Sequence, residues 1–452
     1  MMKEKLEAYI KNDEKLKGGL IGISIRSVST GKVIYEHNGD IRLHPASNMK
    51  LLTGAAALEV LGTEYKFETE VRTHGVINEG KLVGDIYLIG KGDPTLLVKD
   101  FDAFAEKLKE EGIHTITGDI VGDDTWYDDV RLSSDLVWTD EQYYYGAEVS
   151  ALTVSPNEDY DTGSVMIEVK PVAIGEKPSV EFFPNNDYIT IRNEAVTVSE
   201  VVEDELIIER EHGSNLITIK GKISYHSESI KEWMAVWGIS EFATIIFGQS
   251  LKNKGITWNG EMKQGQSPKD ANLLVSRSSI SLSVLLIPLM KLSNNGIAEI
   301  LVKEMGKKIH GEGSWEKGLD VLEREMDKFG IDRTSIGIKD GSGISHSNLI
   351  PSNEITHLLY EVQTKEWFHA YLHSLPIAGK EDRMIGGTLR ERMNGLLVKA
   401  KTGTIEGVST LSGYMETVGG DELIISIMVN NMLDEETGKV IEDELVAIIA
   451  AG

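Results

Sequence analysis

The chain reads as a mixed α/β (α+β) protein, an antiparallel sheet flanked by helices and interrupted by a long, mostly β insertion. Three observations predict this. Both ends of the sequence carry apolar residues in strand-like and helix-like periods, the middle changes to short strands broken by turns, and 452 residues exceed one ordinary core.

Taken in order, Leu20–Ile25 and Lys32–His37 alternate or run apolar as strands around a turn containing Ser29. Met49–Leu61 is Ala/Leu-rich, opened by Pro45 and Ser47 and closed by Gly62, and reads as a helix. The insertion shows strand patterns at Phe67–Thr73, Gly84–Ile89, Thr117–Gly122, Val165–Lys170, Tyr188–Asn193 and Leu216–Lys220, with helical pattern at Asp102–Glu111 and Glu232–Asn253. Helical periods resume at Leu282–Lys291, Ile297–Ile309, Gly318–Phe329 and Ser352–Thr364. Strands follow at Leu397–Lys401, Val408–Thr417 and Glu422–Asn430, then a helix at Ile441–Ala451. The two ends therefore share one sheet, with a site expected between its edge and the helical half.

Composition narrows the function. The balance of 46 basic against 72 acidic side chains, net −26, argues against nucleic acid or anionic lipid as a partner. No run of about 18 apolar residues is present, so no transmembrane segment is expected. With no cysteine, disulfides, thiolate zinc sites and a cysteine nucleophile are excluded. The acidic clusters Asp123-Asp124, Asp128-Asp129 and Glu203–Glu205 lack the loop spacing of a hard-cation site and read as solvated faces. Histidines are dispersed, and Gly90–Thr95 lacks the phosphate-loop spacing. Neither metal nor cofactor is expected.

Three short pieces carry chemistry: Ser47-Asn-Met-Lys50, Ser293-Asn-Asn295 and Lys401-Thr-Gly403. Positions i and i+3 share a helix face, which brings Lys50 Nζ to Ser47 Oγ. A serine hydroxyl needs a neighbour to take its proton, and lysine does so only when neutral, through burial or a second cation, for which Lys401 is the candidate. Ser293 offers a hydroxyl to relay a proton and Asn295 an amide to hold a carbonyl. The third piece ends an edge strand open to strand addition, where Gly403 permits close approach and the N–H groups of Thr404 and Ser47 can form an oxyanion hole. Ser-x-x-Lys alone is weak, since Ser29–Lys32 and Ser314–Lys317 also match, and Ser47 has the alternative reading of a helix cap.

The ordered triple resembles the penicillin-recognising serine enzymes. The separation of Ser47 from Ser293, more than half the chain, narrows the resemblance to low-molecular-mass class C penicillin-binding proteins of the penicillin-binding protein 4 type, the D-alanyl-D-alanine carboxypeptidase/endopeptidases of peptidase family S13. His44–Thr53, Gly90–Pro94, Val149–Thr153, Asp340–Ser345, Gly387–Leu389 and Leu411–Tyr414 agree with it.

The resemblance implies a β-lactamase/transpeptidase-like catalytic domain at 1–64 and 277–452, an inserted domain at 65–159 and 226–276, and a nested β-rich domain at 160–225. It implies peptidoglycan stem peptides and β-lactams as partners, with the substrate carboxylate near Lys401, Thr402 and Thr404. Asp140 and Tyr145 resemble the positions at which some family members read a diaminopimelate amine, the alternative being that the tyrosines pack the domain interface and Asp140 caps a turn. After Asp340–Ser345, several relatives carry arginine where this chain has His346, which lacks a permanent cation. The family acts outside the cytoplasmic membrane, yet residues 1–8 have no apolar signal core, so cytoplasmic action on non-wall substrates, as a β-lactamase-like esterase or D-amino-acid peptidase, is the alternative.

Overall fold

The alternation at the two ends of the chain resolves into one five-stranded antiparallel sheet. In the computed structural model, which describes residues 2–199 and 205–452, its order is Val33–His37, Leu20–Ser27, Glu422–Asn430, Val408–Glu416 and Leu397–Ile405. Glu203 and Asp204 of the acidic run lie outside the described residues.

Alternation along these strands gives the sheet two different faces. Ile23, Ile25, Leu411, Ile425 and Ile427 join one apolar cluster with Leu6, Leu445 and Ile449, from the helices Met2–Asn12 and Glu435–Ala450. The residues between them are small and polar. Register places Lys401 opposite Ser412, Ser412 opposite Ser426 and Ser426 opposite Ser24, and all four are buried. This second face meets the helical half: Ser24 Oγ pairs with Thr356 of the Ser352–Glu361 helix at 2.8 Å, and Asn48 Nδ2 donates to Ser412 Oγ at 2.7 Å.

The Met49–Leu61 helix is apolar nearly all round, and Met49 through Leu58 are buried, as expected of a central helix. It packs beside Leu282–Lys291, Asn295–His310 and Trp315–Lys328. These elements, with Ser133–Asp135, make one compact unit, Met1–Tyr65 and Ser281–Gly452.

The second unit comprises Lys66–Leu132 and Leu136–Ile280. Its largest sheet runs Met262–Gln264, Ile120–Asp123, Ile86–Gly90, Glu68–Thr73 and Asn272–Ser278. One apolar cluster joins Val71, Leu88 and Phe101 to Ile167, Ile217 and Phe247. The helix expected over Glu232–Asn253 is instead a strand, Ile230–Ala235, followed by a helix, Ile239–Asn253. The strand pairs with Ser164–Lys170, and Gly238 turns the chain at φ +76°, where Glu148 accepts the N–H groups of Gly238 and Ile239. Among the described residues, no helix is long and apolar enough to cross a membrane.

Candidate active site

Ser47 lies in a tight turn, Ala46–Asn48, that leads into the Met49–Leu61 helix. The helix N-cap is Asn48, so the cap reading does not apply to Ser47. Ala46 takes a left-handed φ of +45°, unusual for a residue with a side chain. Strand groups hold this turn: Thr410 Oγ1 donates to the Pro45 carbonyl at 2.8 Å, and Asn430 Oδ1 accepts His44 N–H at 2.8 Å.

Lys50 Nζ reaches three oxygens: Ser47 Oγ at 2.9 Å, Asn295 Oδ1 at 2.7 Å and the Ser342 carbonyl at 2.8 Å. The side chain is fully buried, and burial pulls its pKa down to about 7, against the opposing pull of Glu299 and Asp340. A neutral lysine has two N–H groups and one lone pair. With an amide oxygen and a carbonyl, both pure acceptors, on two sides, the lone pair is left for the Ser47 hydroxyl.

A second serine–lysine pair stands in the same unit. Lys401 Nζ donates to Ser293 Oγ at 2.9 Å and to the Thr402 carbonyl at 2.6 Å. Burial, and then the Lys50 charge, drive the Lys401 pKa well below its ordinary value. The cation expected to depress Lys50 is thus itself depressed by Lys50. Ser293 has a left-handed φ of +59° just ahead of Asn294, which caps the Asn295–His310 helix by accepting Ile297 N–H at 2.9 Å.

The Leu397–Ile405 strand forms the sheet edge. Its first half is covered by main-chain bonds to Pro376 and Ala378, and its far side pairs with Val408–Glu416. Among the described residues, no strand covers the outer edge at Lys401–Thr404. A methyl group on Gly403 would stand 2.8 Å from Ser47 N and 2.3 Å from Thr410 Oγ1, so only glycine lets the strand run this close to the Ser47 amide. Thr402 Oγ1 donates to Thr388 Oγ1 at 2.7 Å.

The Asp340–Asn348 loop completes this geometry. Asp340 accepts Gly343 N–H, Ser345 N–H and Asn348 Nδ2, and Glu299 accepts Gly341 N–H and Ser342 N–H. Burial, then the Glu299 charge, push the Asp340 pKa up. His346 is half-buried on this loop, its ring 6.2 Å from that of His44.

Asp140 and Tyr145 belong to the other unit. Asp140 opens the short turn Asp140–Gln142, Tyr143 and Tyr145 stack at 5.5 Å, and burial followed by the Asp140 charge raises the Tyr145 pKa. Arg210 fixes this turn, donating to the Glu141 carbonyl at 2.8 Å.

Sequence spacing assigns no role to Glu299 or Arg210, nor to Ser342 and Thr388 within Asp340–Ser345 and Gly387–Leu389. Each acts through main chain or across a long separation, which no spacing rule reports. The competing Ser-x-x-Lys matches do something else: Ser314 Oγ caps the Trp315–Lys328 helix through Lys317 N–H.

Similarity to known proteins bears on this geometry. The model of the D-Ala-D-Ala carboxypeptidase 3 (S13) family matches residues 2–451. The D-alanyl-D-alanine carboxypeptidase of Actinomadura sp. (strain R39) is 39% identical over 437 residues, covering 95% of this chain and 81% of the relative. The crystal structure of penicillin binding protein 4 (dacB) from Haemophilus influenzae superposes with a TM-score of 0.85 at 23% identity, over 98% of this chain and 99% of that one. The same protein complexed with a β-lactam gives a TM-score of 0.78 at 24% identity over the same shares. The mixed helix-and-sheet fold is that of these structures, and the chain belongs to the D-Ala-D-Ala carboxypeptidase 3 (S13) family of serine hydrolases.

Proposed function

We propose that this protein is a serine-type D-alanyl-D-alanine carboxypeptidase/endopeptidase that cleaves peptidoglycan stem peptides through an ester on Ser47. One observation carries the reading: Lys50 Nζ lies 2.9 Å from Ser47 Oγ, with its other hydrogen bonds spent on two acceptors. A buried amine with its pKa near neutrality is a competent general base.

In the proposed sequence the peptide lies along the outer edge of Lys401–Thr404, its terminal carboxylate near Lys401, Thr402 and Thr404. Ser47 Oγ attacks the penultimate carbonyl while Lys50 takes its proton. The oxyanion forms between the N–H groups of Ser47 and Thr404, which the close approach at Gly403 supports. Ser293, paired with Lys401, passes a proton to the departing D-alanine nitrogen. Asn295 serves both Lys50 and the substrate carbonyl. Water then hydrolyses the ester. A β-lactam would follow the same path and stall as a slow ester, in keeping with the β-lactam complex of the Haemophilus influenzae protein.

Asp140 and Tyr145 are proposed to read an amine on the substrate side chain, with His346 a weak partner for its carboxylate. We place the enzyme at the wall, outside the cytoplasmic membrane, on family membership. The nested division of the insertion at 160–225 is likewise proposed. No observation favours the esterase alternative. Release of D-alanine from a peptide ending in D-alanyl-D-alanine tests the proposal: the wild type should release it and Ser47→Ala should not. Absence of release by the wild type would refute the carboxypeptidase reading.

A further inference from the structure

Behind Lys50 lies a buried polar network outside the three sequence motifs. Glu299 sits one turn into the Asn295–His310 helix, only 6% exposed, and three N–H donors converge on it: Gly341 N at 3.0 Å, Ser342 N at 2.7 Å and Trp315 Nε1 at 2.8 Å. Such an all-donor set suits a carboxylate. The Ser342 residue whose N–H it holds is the same residue whose carbonyl accepts Lys50 Nζ at 2.8 Å. The other side of the loop is pinned as well, because Thr53 Oγ1 donates to the Gly341 carbonyl at 2.7 Å and Asp340 holds the N–H groups of Gly343 and Ser345. Gly343 packs so closely on the Ala46 carbonyl that a methyl group there would lie 1.8 Å from it.

We propose that Glu299 is the positioning residue for Lys50: its carboxylate clamps Gly341 and Ser342, which turns the Ser342 carbonyl onto the amine and leaves the amine's lone pair on Ser47. The inference rests on Lys50 being the base. Glu299 also acts on Lys50 as a charge. The charged groups facing Lys50 are Glu299 from the neighbouring helix, Asp340 from the loop and Lys401 from the edge strand. Lys303, one turn beyond Glu299, lies 4.0 Å from the Trp315 ring that Glu299 also holds. An anion here favours protonated Lys50, so its removal makes the amine easier to deprotonate.

The test is the rate of acylation by a fluorescent penicillin, measured against pH in full-length wild type, Glu299→Gln and Glu299→Asp, with thermal melts alongside. Glu299→Gln removes the charge and sets an NH₂ against N–H donors. It should lower the plateau on the order of 10²-fold and move the acid limb down by roughly one pH unit. Glu299→Asp keeps the charge on a shorter arm, so its plateau should fall while the limb stays in place. A structural role alone would lower both plateaus and leave both limbs where the wild type has them, and that result overturns the proposal. An unchanged plateau in either variant overturns it too. Should Glu299→Gln fail to fold, Glu299→Asp decides together with its melt: a lowered plateau at an unchanged melting temperature supports the clamp, whereas an unchanged rate, or a plateau that falls only with the melting temperature, refutes it. A wild type that penicillin does not acylate would strike at the Ser47–Lys50 reading instead.

Discussion

Two buried lysines of the unit that holds Ser47 differ in what surrounds them. Lys50 Nζ lies against a serine hydroxyl, an amide oxygen and one carbonyl, whereas Lys291, at the end of the Leu282–Lys291 helix, donates to the carbonyls of Leu375 at 2.7 Å and Ile385 at 2.9 Å. Burial depresses both, to about 7 at Lys50 and about 8 at Lys291, where Lys399 adds repulsion. Perturbation alone therefore does not mark a base. The serine hydroxyl within reach of Lys50 separates the two: Lys291 ties the loop that carries Leu375 and Ile385 to the helix before Ser293.

Lys50→Ala should cut acylation by roughly 10²–10⁴, the usual worth of a general base. Lys291→Met should leave the rate nearly unchanged and lower the melting temperature, since it orphans the buried Leu375 carbonyl at a cost of roughly 1–3 kcal/mol, while the Ile385 carbonyl keeps Ile377 N–H. Equal rate losses in the two variants would erase the distinction. Their pH profiles sharpen it. Lys50 must be neutral to accept the Ser47 proton, so wild-type acylation should rise with pH through about 7 and flatten above it. Lys291→Met should keep that limb. A limb that moves with Lys291→Met would assign the titration to the wrong lysine.

Smaller effects follow away from the base. Gly403→Ala pushes a methyl group against Ser47 N and Thr410 Oγ1 and should slow acylation on the order of 10²-fold with the pH limb unmoved. Normal acylation by that variant would show that the strand need not approach Ser47 so closely. Asp140→Ala should reduce kcat/KM roughly 10-fold for peptides with an amine-ended side chain and leave other peptides alone, the worth of one charge-assisted hydrogen bond. Loss of rate on both peptide types, or on neither, would reject the amine-reading role.

The Ser47–Lys50 contact was legible in the sequence and its supports were not, for a physical reason. Ser47 and Lys50 are three residues apart on one turn, so helical periodicity alone brings them together. The sheet was legible for a similar reason, because Ser24, Ser412 and Ser426 interrupt apolar alternation at period two. The Glu299 contacts with Gly341 and Ser342 join a helix to a distant loop through main-chain N–H groups, which carry no residue identity. Lys291 was hidden likewise, since its acceptors are carbonyls. Residues 232–235 of the strand Ile230–Ala235 carry a helical pattern in the sequence because the strand's pairing with Ser164–Lys170 lies outside any local window.

Intact-protein mass spectrometry after exposure to penicillin tests the central claim most directly. The account predicts a single adduct on the wild type, mapped to Ser47, and none on Ser47→Ala. An adduct of the same mass persisting in Ser47→Ala would contradict it.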